Sequence, residues 1–84
     1  MTTPKVNLYV LESLRNRRLY VGVTTCLEER IERHNARRVV PTKKDAPYKL
    51  VYTELFDNLT LARRREKFLK SGDGRRVLEI KLSK

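Results

Sequence analysis

The sequence predicts an α/β domain of the α+β type, with elements in the order β-β-α-β-α and a short C-terminal helix. Alternating apolar residues form two runs between positions 6 and 23 and a third run at 48–56, which is typical of strands. Apolar residues at helical spacing follow at 26–36 and at 59 to about 70. Because 84 residues supply only one small core, we expect a single domain over residues 1–84.

The first two runs are expected to pair as an antiparallel hairpin, because the polar segment 13–17 between them is suited to turn the chain. With an even number of loop residues, Tyr9 and Tyr20 share one face of this ribbon. Gly22 lies on the same face, where its missing side chain leaves room for a phosphate or a tyrosine hydroxyl. The opposite face then carries Val6, Leu8, Val10, Leu19, Val21 and Val23.

The first helix is expected to begin at Cys26, because Thr25 and Glu28 have the spacing of a capping box. Its apolar stripe lies at positions 27 and 31, with Arg30 and His34 beside it. Arg30 could cover the core with its methylenes while its head stays in water, or it could bind a phosphate and offset charge in a transition state. His34 could be a packed helix residue or a general acid or base.

Residues 37–47 contain two prolines and a basic cluster, which indicates an exposed loop. Within it, Lys43 and Lys44 are either solvated or in contact with substrate phosphates. The third strand, Tyr48–Phe56, is expected to place Leu50 and Tyr52 on one side and positions 51, 53 and 55 on the other. For the segment 75–82, the pattern favours a helix over an edge strand.

The second helix, 59 to about 70, is expected to be capped by Asn58 and ended by Ser71 and Gly72. Its apolar stripe, at positions 59, 62, 66 and 69, includes Glu66. A carboxylate on such a stripe is costly unless it is paired or binds a metal. It could form a salt bridge to Arg30 or to a basic neighbour on its own helix, or it could be a Mg²⁺ ligand. The basic residues of this helix, either solvated or in contact with a phosphate backbone, include Arg63, Lys67 and Lys70.

The charge of the chain indicates a polyanionic partner. Twenty Lys and Arg against ten Asp and Glu give a net charge of +10, which favours nucleic acid. The basic residues are spread over several elements, so an anionic membrane is disfavoured. One cysteine and one histidine exclude an internal disulfide and a Cys/His zinc site, so a metal would need oxygen ligands. Without a signal segment or an apolar run of membrane-spanning length, a cytoplasmic location is expected.

Four segments together resemble the GIY-YIG nuclease superfamily. Asn7-Leu8-Tyr9 and Tyr20-Val21-Gly22 are similar to its two tripeptides, although Asn7 stands where the motif has glycine. Segments 27–35 and 62–70 resemble its arginine helix and its glutamate helix. The matches occur in order at compatible spacing, and the resemblance, to a short standalone member, covers roughly residues 7–76.

This resemblance implies a three-stranded antiparallel sheet flanked by helices and cleavage of phosphodiester bonds with one divalent metal, Mg²⁺ or Mn²⁺. It also implies a role for each matching residue: Glu66 binds the metal, Arg30 steadies the phosphate, Tyr20 activates water or accepts its proton, Tyr9 and His34 assist, and Gly22 is structural.

Three hypotheses for function follow. The leading one is a Mg²⁺-dependent endonuclease that acts on DNA, single-stranded or structured DNA included, with low sequence specificity. The alternative is a non-catalytic nucleic-acid-binding module of the same fold, which would keep its affinity in EDTA and lose it with salt. The third is a module that needs a homodimer or a targeting partner before it acts on DNA.

Overall fold

The computed structural model describes residues 4–36 and 44–82, and within these ranges the chain forms three strands and three helices. The elements are β1 (Val6–Ser13), β2 (Leu19–Thr24), α1 (Leu27–Asn35), β3 (Tyr48–Phe56), α2 (Leu59–Lys70) and α3 (Gly72–Lys81). The strands form one antiparallel sheet in the order β2-β1-β3. The predicted fold class and element order are therefore confirmed. No helix in the described ranges has the length and apolar character needed to cross a membrane.

The register of the β1–β2 hairpin puts both tyrosines on one face of the sheet. Tyr9 pairs with Gly22, and Leu11 pairs with Tyr20. Six residues, 13–18, lie between the last pair of the ladder, Glu12 and Leu19. This even number produces the shared face, as predicted from the period of two.

The sheet separates two core clusters. On one face, Leu8, Val10 and Val21 pack against Leu69 and Leu78 of α2 and α3. On the other face, the cluster contains Tyr9, Leu11, Ala46 and Tyr48, with Tyr20 and the α1 residues Leu27 and Ile31 packed against it. The helix α1 thus covers the face that carries both hairpin tyrosines, and the pair α2–α3 covers the opposite face.

The predicted side-chain alternation along β3 is wrong in its first half. The β1–β3 register shifts between Val10 and Leu11, so that Tyr52 pairs with Val10 whereas Leu50 pairs with Leu11. Consecutive residues of β1 point to opposite faces, so Leu50 and Tyr52 do too. The extra residue opposite the shift, Val51, packs with Tyr52 against the α2–α3 side.

The start of α1 differs from the predicted capping box. The helix begins at Leu27, and Cys26 is the N-cap in an extended conformation, with no cap hydrogen bond from a side chain of the described residues. Instead, Oγ1 of Thr24 accepts a hydrogen bond from the amide of Cys26 at 3.1 Å. The hydroxyl one position earlier therefore turns the chain into the helix, and Thr25 is not the cap.

The helices α2 and α3 meet at a single residue. Asn58 caps α2 as predicted, with its Oδ1 accepting from the amide of Leu61 at 2.9 Å. Ser71 ends α2 and is also the N-cap of α3, where its Oγ accepts from the amide of Gly74. The predicted C-terminal helix is confirmed but starts at Gly72, so Gly72 begins a helix where it was expected to end one.

Candidate active site

Side chains from β1, β2 and α1 meet on the α1 face of the sheet. The Tyr9 hydroxyl lies 3.0 Å from Nε2 of His34, and both residues are buried. The Tyr20 ring lies 4.9 Å from the His34 ring and 6.4 Å from the Tyr9 ring, measured between centroids. The structure thus brings together three of the residues that the sequence singles out.

The space for the Tyr9 hydroxyl is provided by Gly22, its partner across the hairpin. A Cβ atom added to Gly22 would lie 2.5 Å from Cζ of Tyr9 and would overlap the hydroxyl itself. Any larger residue at position 22 would therefore displace the Tyr9 ring. The prediction that this glycine leaves room for a tyrosine hydroxyl agrees with this geometry.

Arg30 lies one helical turn before His34 and reaches the same hydroxyl. Its Nε–H donates to Oη of Tyr9 at 3.4 Å, a long hydrogen bond. The hydrogen bond to Tyr9 raises the pKa of Arg30, and the nearby Tyr20 hydroxyl adds to that rise. The guanidinium is therefore held over the tyrosine pair, while the residue is still partly exposed.

Burial determines the protonation of this cluster. Burial raises the pKa of Tyr9; the hydrogen bond from Arg30 opposes this rise, and the charge of Glu66 adds to it. Burial, followed by the positive charge of Arg30, lowers the pKa of His34 from 6.5 to about 4. Near neutral pH, Tyr9 is therefore protonated and His34 is neutral. Since a guanidinium can only donate, Tyr9 accepts from Arg30. Tyr9 donates its own proton to Nε2 of His34 in the tautomer that carries its hydrogen on Nδ1.

Glu66, on α2, is mostly buried, with its side chain 15% exposed. Nζ of Lys70 lies 3.0 Å from Oε2, and Nη1 of Arg63 lies 3.8 Å from Oε1. The expected salt bridge to basic neighbours on the same helix is thus present. Of the predicted stripe on α2, Ala62 and Leu69 are buried, but Leu59 is 47% exposed and does not extend the stripe.

The Glu66 carboxylate acts on the tyrosine cluster through its charge, although α2 packs on the opposite face of the sheet. Its charge contributes to the raised pKa of Tyr9, and its ion-pair partner Lys70 lies 5.9 Å from the centroid of the Tyr20 ring. No group of three or more His, Cys, Asp or Glu side chains that could hold a metal occurs among the described residues. One partly accessible carboxylate can nevertheless hold a magnesium ion when waters and phosphate oxygens complete the coordination shell.

The residues predicted to contact phosphates lie in two regions of the fold, on α2 and beside the hairpin loop. Arg63 and Lys70 form ion pairs with the Glu66 carboxylate, and Lys67 is exposed on the same helix. Lys44 is exposed beside the hairpin loop, where its carbonyl accepts a hydrogen bond from Arg15. Lys43 lies outside the described residues. A contact of these basic residues with substrate stays a prediction.

Two residues of the site have contacts that the sequence does not predict. Tyr48, the first residue of β3, is buried with its ring 6.0 Å from that of His34. Its backbone amide donates to Oδ1 of Asn35, the last residue of α1, at 2.7 Å. An aromatic residue directly after Pro47, at the start of a strand, was the available signal for Tyr48. Nothing in the local pattern indicates which helix it meets.

Comparisons with known proteins show which proteins this chain is similar to. The family model described as the GIY-YIG catalytic domain matches residues 5–76. The UPF0213 proteins SpyM3_1077, from Streptococcus pyogenes serotype M3, and M5005_Spy1151, from serotype M1, are each 39% identical over 71 residues, covering 83% of this chain and 76% of the relative. The solution NMR structure of the UPF0213 protein BH0048 from Bacillus halodurans matches with a TM-score of 0.54 and 28% identity, covering 88% of this chain and 81% of that one.

Proposed function

This chain belongs to the GIY-YIG family of catalytic domains, and from that membership we propose that it is a metal-dependent endonuclease that hydrolyses phosphodiester bonds in DNA. The GIY-YIG domain is a nuclease family, so a nucleic-acid substrate follows from membership. The observation that carries the proposal further is the convergence of Tyr9, Tyr20, Arg30 and His34 on one face of the sheet. The Glu66 carboxylate is near enough for its charge to act on Tyr9.

Arg30 binds the scissile phosphate in this proposal. Its guanidinium presents several N–H donors in a fixed plane and stays charged at any accessible pH. The hydrogen bond to Tyr9 engages Nε, and the Tyr20 hydroxyl is also near the guanidinium. The guanidinium has further N–H donors that could bind phosphate oxygens. Donors held in place in this way stabilise the extra negative charge of the transition state.

The two tyrosines have different roles. Tyr9 is buried, protonated and hydrogen-bonded to His34, so it does not act as a base. Its hydrogen bond with Arg30 orients the guanidinium. Tyr20 is the more exposed of the pair, and its hydroxyl takes a proton from the attacking water as it releases its own proton to solvent. With a pKa of about 4, the ring of His34 is a weak base. It can therefore accept a hydrogen bond from Tyr9 without removing the proton.

Glu66 is the residue that would hold the divalent cation, Mg²⁺ or Mn²⁺. The fit is supported by a partly accessible carboxylate whose charge acts on Tyr9. Its two partners, Lys70 and Arg63, are exposed cations that can move aside. When bound, such a cation supplies charge stabilisation to phosphoryl oxygens. Carboxylate and substrate oxygens are the ligands that these ions prefer.

Low sequence specificity follows from the kind of contact that the chain offers. The net charge of +10 favours any nucleic acid through its phosphates. Contacts of Arg63, Lys67 and Lys70 with phosphate would position the strand but would not identify its bases. We therefore expect cleavage of many sequences, with Lys44 adding to the basic surface beside the hairpin loop.

One observation favours the alternative, a nucleic-acid-binding module without turnover. Both oxygens of Glu66 have ion-pair partners on α2, as expected for a purely structural glutamate. The two functions differ in their need for metal. A binding module keeps its affinity in EDTA and never cuts, whereas the endonuclease cuts only when a divalent cation is present.

The test is cleavage of end-labelled single-stranded, duplex and branched DNA by the parent protein in Mg²⁺, in Mn²⁺ and in EDTA. Glu66→Ala and Arg30→Ala are compared with the parent for binding and for cutting. Cutting by the parent only with metal, together with binding but no cutting by both variants, supports the endonuclease. Binding by all three proteins with no cutting at any metal concentration contradicts it and leaves the binding module, or one that needs a second copy or a partner.

A further inference from the structure

A cleft of about 670 Å³ lies beside the candidate active site, between β2 and the junction of α2 with α3. Its floor is aliphatic, formed by Leu19, Val21, Leu69 and Leu78. In the sheet that the described residues form, β2 is an edge strand. The consecutive residues 17–21 all line the cleft, so it runs along that edge, where backbone donors and acceptors are available to a ligand.

The rim of the cleft is strongly basic. Arg17, Arg18, Lys70 and Arg75 line it, against the single carboxylate of Glu79. This imbalance favours an anionic ligand, in the way that basic grooves follow a nucleic-acid backbone. The size of the cleft also falls within the range of roughly 300–1,000 Å³ typical of sites for small organic ligands.

The cleft shares Tyr20 with the proposed catalytic residues and Lys70 with the ion pair of Glu66. Tyr20 lines the cleft, and its ring also contacts that of His34. Lys70 lines the cleft as well, and its Nζ forms an ion pair with the carboxylate of Glu66. A strand whose scissile phosphate lies at Arg30 and Glu66 would therefore have a neighbouring nucleotide at this cleft. A base inside a duplex is paired and stacked, so only an unpaired base can reach the aliphatic floor without a cost in unstacking.

We propose that this cleft binds an unpaired nucleotide next to the scissile phosphate, with the base on the aliphatic floor and the phosphates on the basic rim. The substrate class is then single-stranded DNA, or the unpaired part of a structured DNA. This inference deepens the proposed endonuclease function and rests on it for the position of the scissile phosphate. Binding in the cleft itself needs neither a metal nor cleavage.

The test is therefore a metal-free binding experiment. The parent protein in EDTA is titrated with a fluorescent oligothymidylate of about eight nucleotides, with its abasic counterpart of the same charge, and with a hairpin whose stem stays fully paired at the temperature of the experiment. The matched variants are Arg75→Gln and Arg76→Gln. These neighbours on α3 carry the same charge, but Arg75 lines the cleft whereas Arg76 pairs with Asp73 on the exposed surface.

The expected result is that the abasic strand and the hairpin each bind the parent roughly fivefold or more weakly than the oligothymidylate, as the loss of a base contact predicts. Arg75→Gln should weaken binding more than Arg76→Gln, and amide NMR shifts on adding oligothymidylate should concentrate at residues 17–21 and 75–79. Equal binding of the normal and abasic strands, equal effects of the two arginine variants, or shifts elsewhere would overturn the proposal.

The two proposals fail in different ways. A protein that cuts DNA in Mg²⁺ but binds the abasic strand as well as the normal one would retain the endonuclease function without the nucleotide cleft. A protein that shows the expected base dependence and localised shifts in EDTA but never cuts would retain the cleft and lose the endonuclease function.

Discussion

The hydroxyl of Tyr9 lies 3.0 Å from Nε2 of His34 and joins the central strand β1 to the helix α1 inside the protein. Arg30 donates to the same oxygen from one turn earlier in that helix. A single hydroxyl thus fixes the positions of the proposed phosphate-binding arginine and of the histidine. Changes that displace the Tyr9 ring should disturb all of these contacts at once.

Gly22→Ala should displace that ring. The added Cβ would lie 2.5 Å from Cζ of Tyr9, and the ring is buried and cannot move freely. We expect the free energy of unfolding to fall by about 1–3 kcal/mol, as for an overpacked core, and cleavage to fall by about tenfold or more because the Arg30 donor loses its acceptor. Urea unfolding and a DNA cleavage assay measure the two effects.

The matched control is Gly72→Ala. No atom of the described residues other than its own helix and chain neighbours lies within 4 Å of the added Cβ, and the backbone there is helical. Its stability should stay the same or rise by up to about 1 kcal/mol through the lower entropy of the unfolded chain. Equal behaviour of the two alanine variants would contradict the role given to Gly22.

The stability of the parent should depend on pH through His34. The pKa of His34 is lowered from 6.5 to about 4 by burial and by Arg30, so between these values the unfolded chain binds more protons than the folded one. This contribution is therefore fully present well above pH 6.5 and is lost as the pH is lowered through 4, by up to roughly 3–3.5 kcal/mol. Carboxylates titrate in part of this range, so the informative quantity is the difference between parent and His34→Gln.

His34→Gln keeps an acceptor near Tyr9 but has no group that titrates in this window. Urea unfolding of both proteins at several pH values should show a steeper loss for the parent on acidification. Parallel stability curves for parent and variant would mean that the histidine ring is as accessible to protons in the folded state as in the unfolded one.

Much of the fold could be predicted because it is encoded locally. The period of two gave the strands, Asn58 marked the start of α2, and an even loop put Tyr9 and Tyr20 on one face. The ion pair of Glu66 with Lys70 follows from their i,i+4 spacing on one helix. Each of these inferences needs only neighbours in sequence or one short hairpin.

The features that could not be predicted depend on contacts between distant segments. The irregularity opposite Val51 arises from the register of β3 on β1, and it is also this pairing that brings Tyr48 alongside Ser13 and towards His34. The local alternation of β3 predicts neither the register shift nor the position of Tyr48. The hydroxyl that accepts from the amide of Cys26 before α1 belongs to Thr24 and not to Thr25. This depends on the backbone geometry, which the sequence of two adjacent threonines does not reveal.

Arg30→Lys should separate binding from cleavage. Lysine keeps the positive charge but lacks the planar set of donors that can hold Tyr9 and a phosphate together. Cleavage is expected to fall by roughly 10²–10³-fold, as for the loss of a transition-state donor, while DNA affinity in EDTA stays close to that of the parent. The control is Arg33→Lys, since Arg33 is an exposed residue of the same helix, paired with Glu29. Equal cleavage by both variants would remove Arg30 from the reaction.

Lys70→Gln should change metal affinity and DNA affinity in opposite directions. Lys70 holds Oε2 of Glu66 at 3.0 Å, so a cation that binds this oxygen must displace the lysine. Without the lysine we expect Mn²⁺ to bind roughly two- to fivefold more tightly, the range for an exposed ion pair. DNA affinity in EDTA should fall, because one contact with phosphate is lost.

Lys67→Gln provides the comparison, because it removes the same charge one residue away from Glu66 on the exposed side of α2. This variant should weaken DNA binding, but its gain in Mn²⁺ affinity should be smaller than that of Lys70→Gln. Calorimetric titration with Mn²⁺ and fluorescence anisotropy with labelled DNA measure the two quantities in each protein. An equal gain in Mn²⁺ affinity in both variants would reflect net charge alone, and it would mean that the ion does not displace Lys70 from the Glu66 carboxylate.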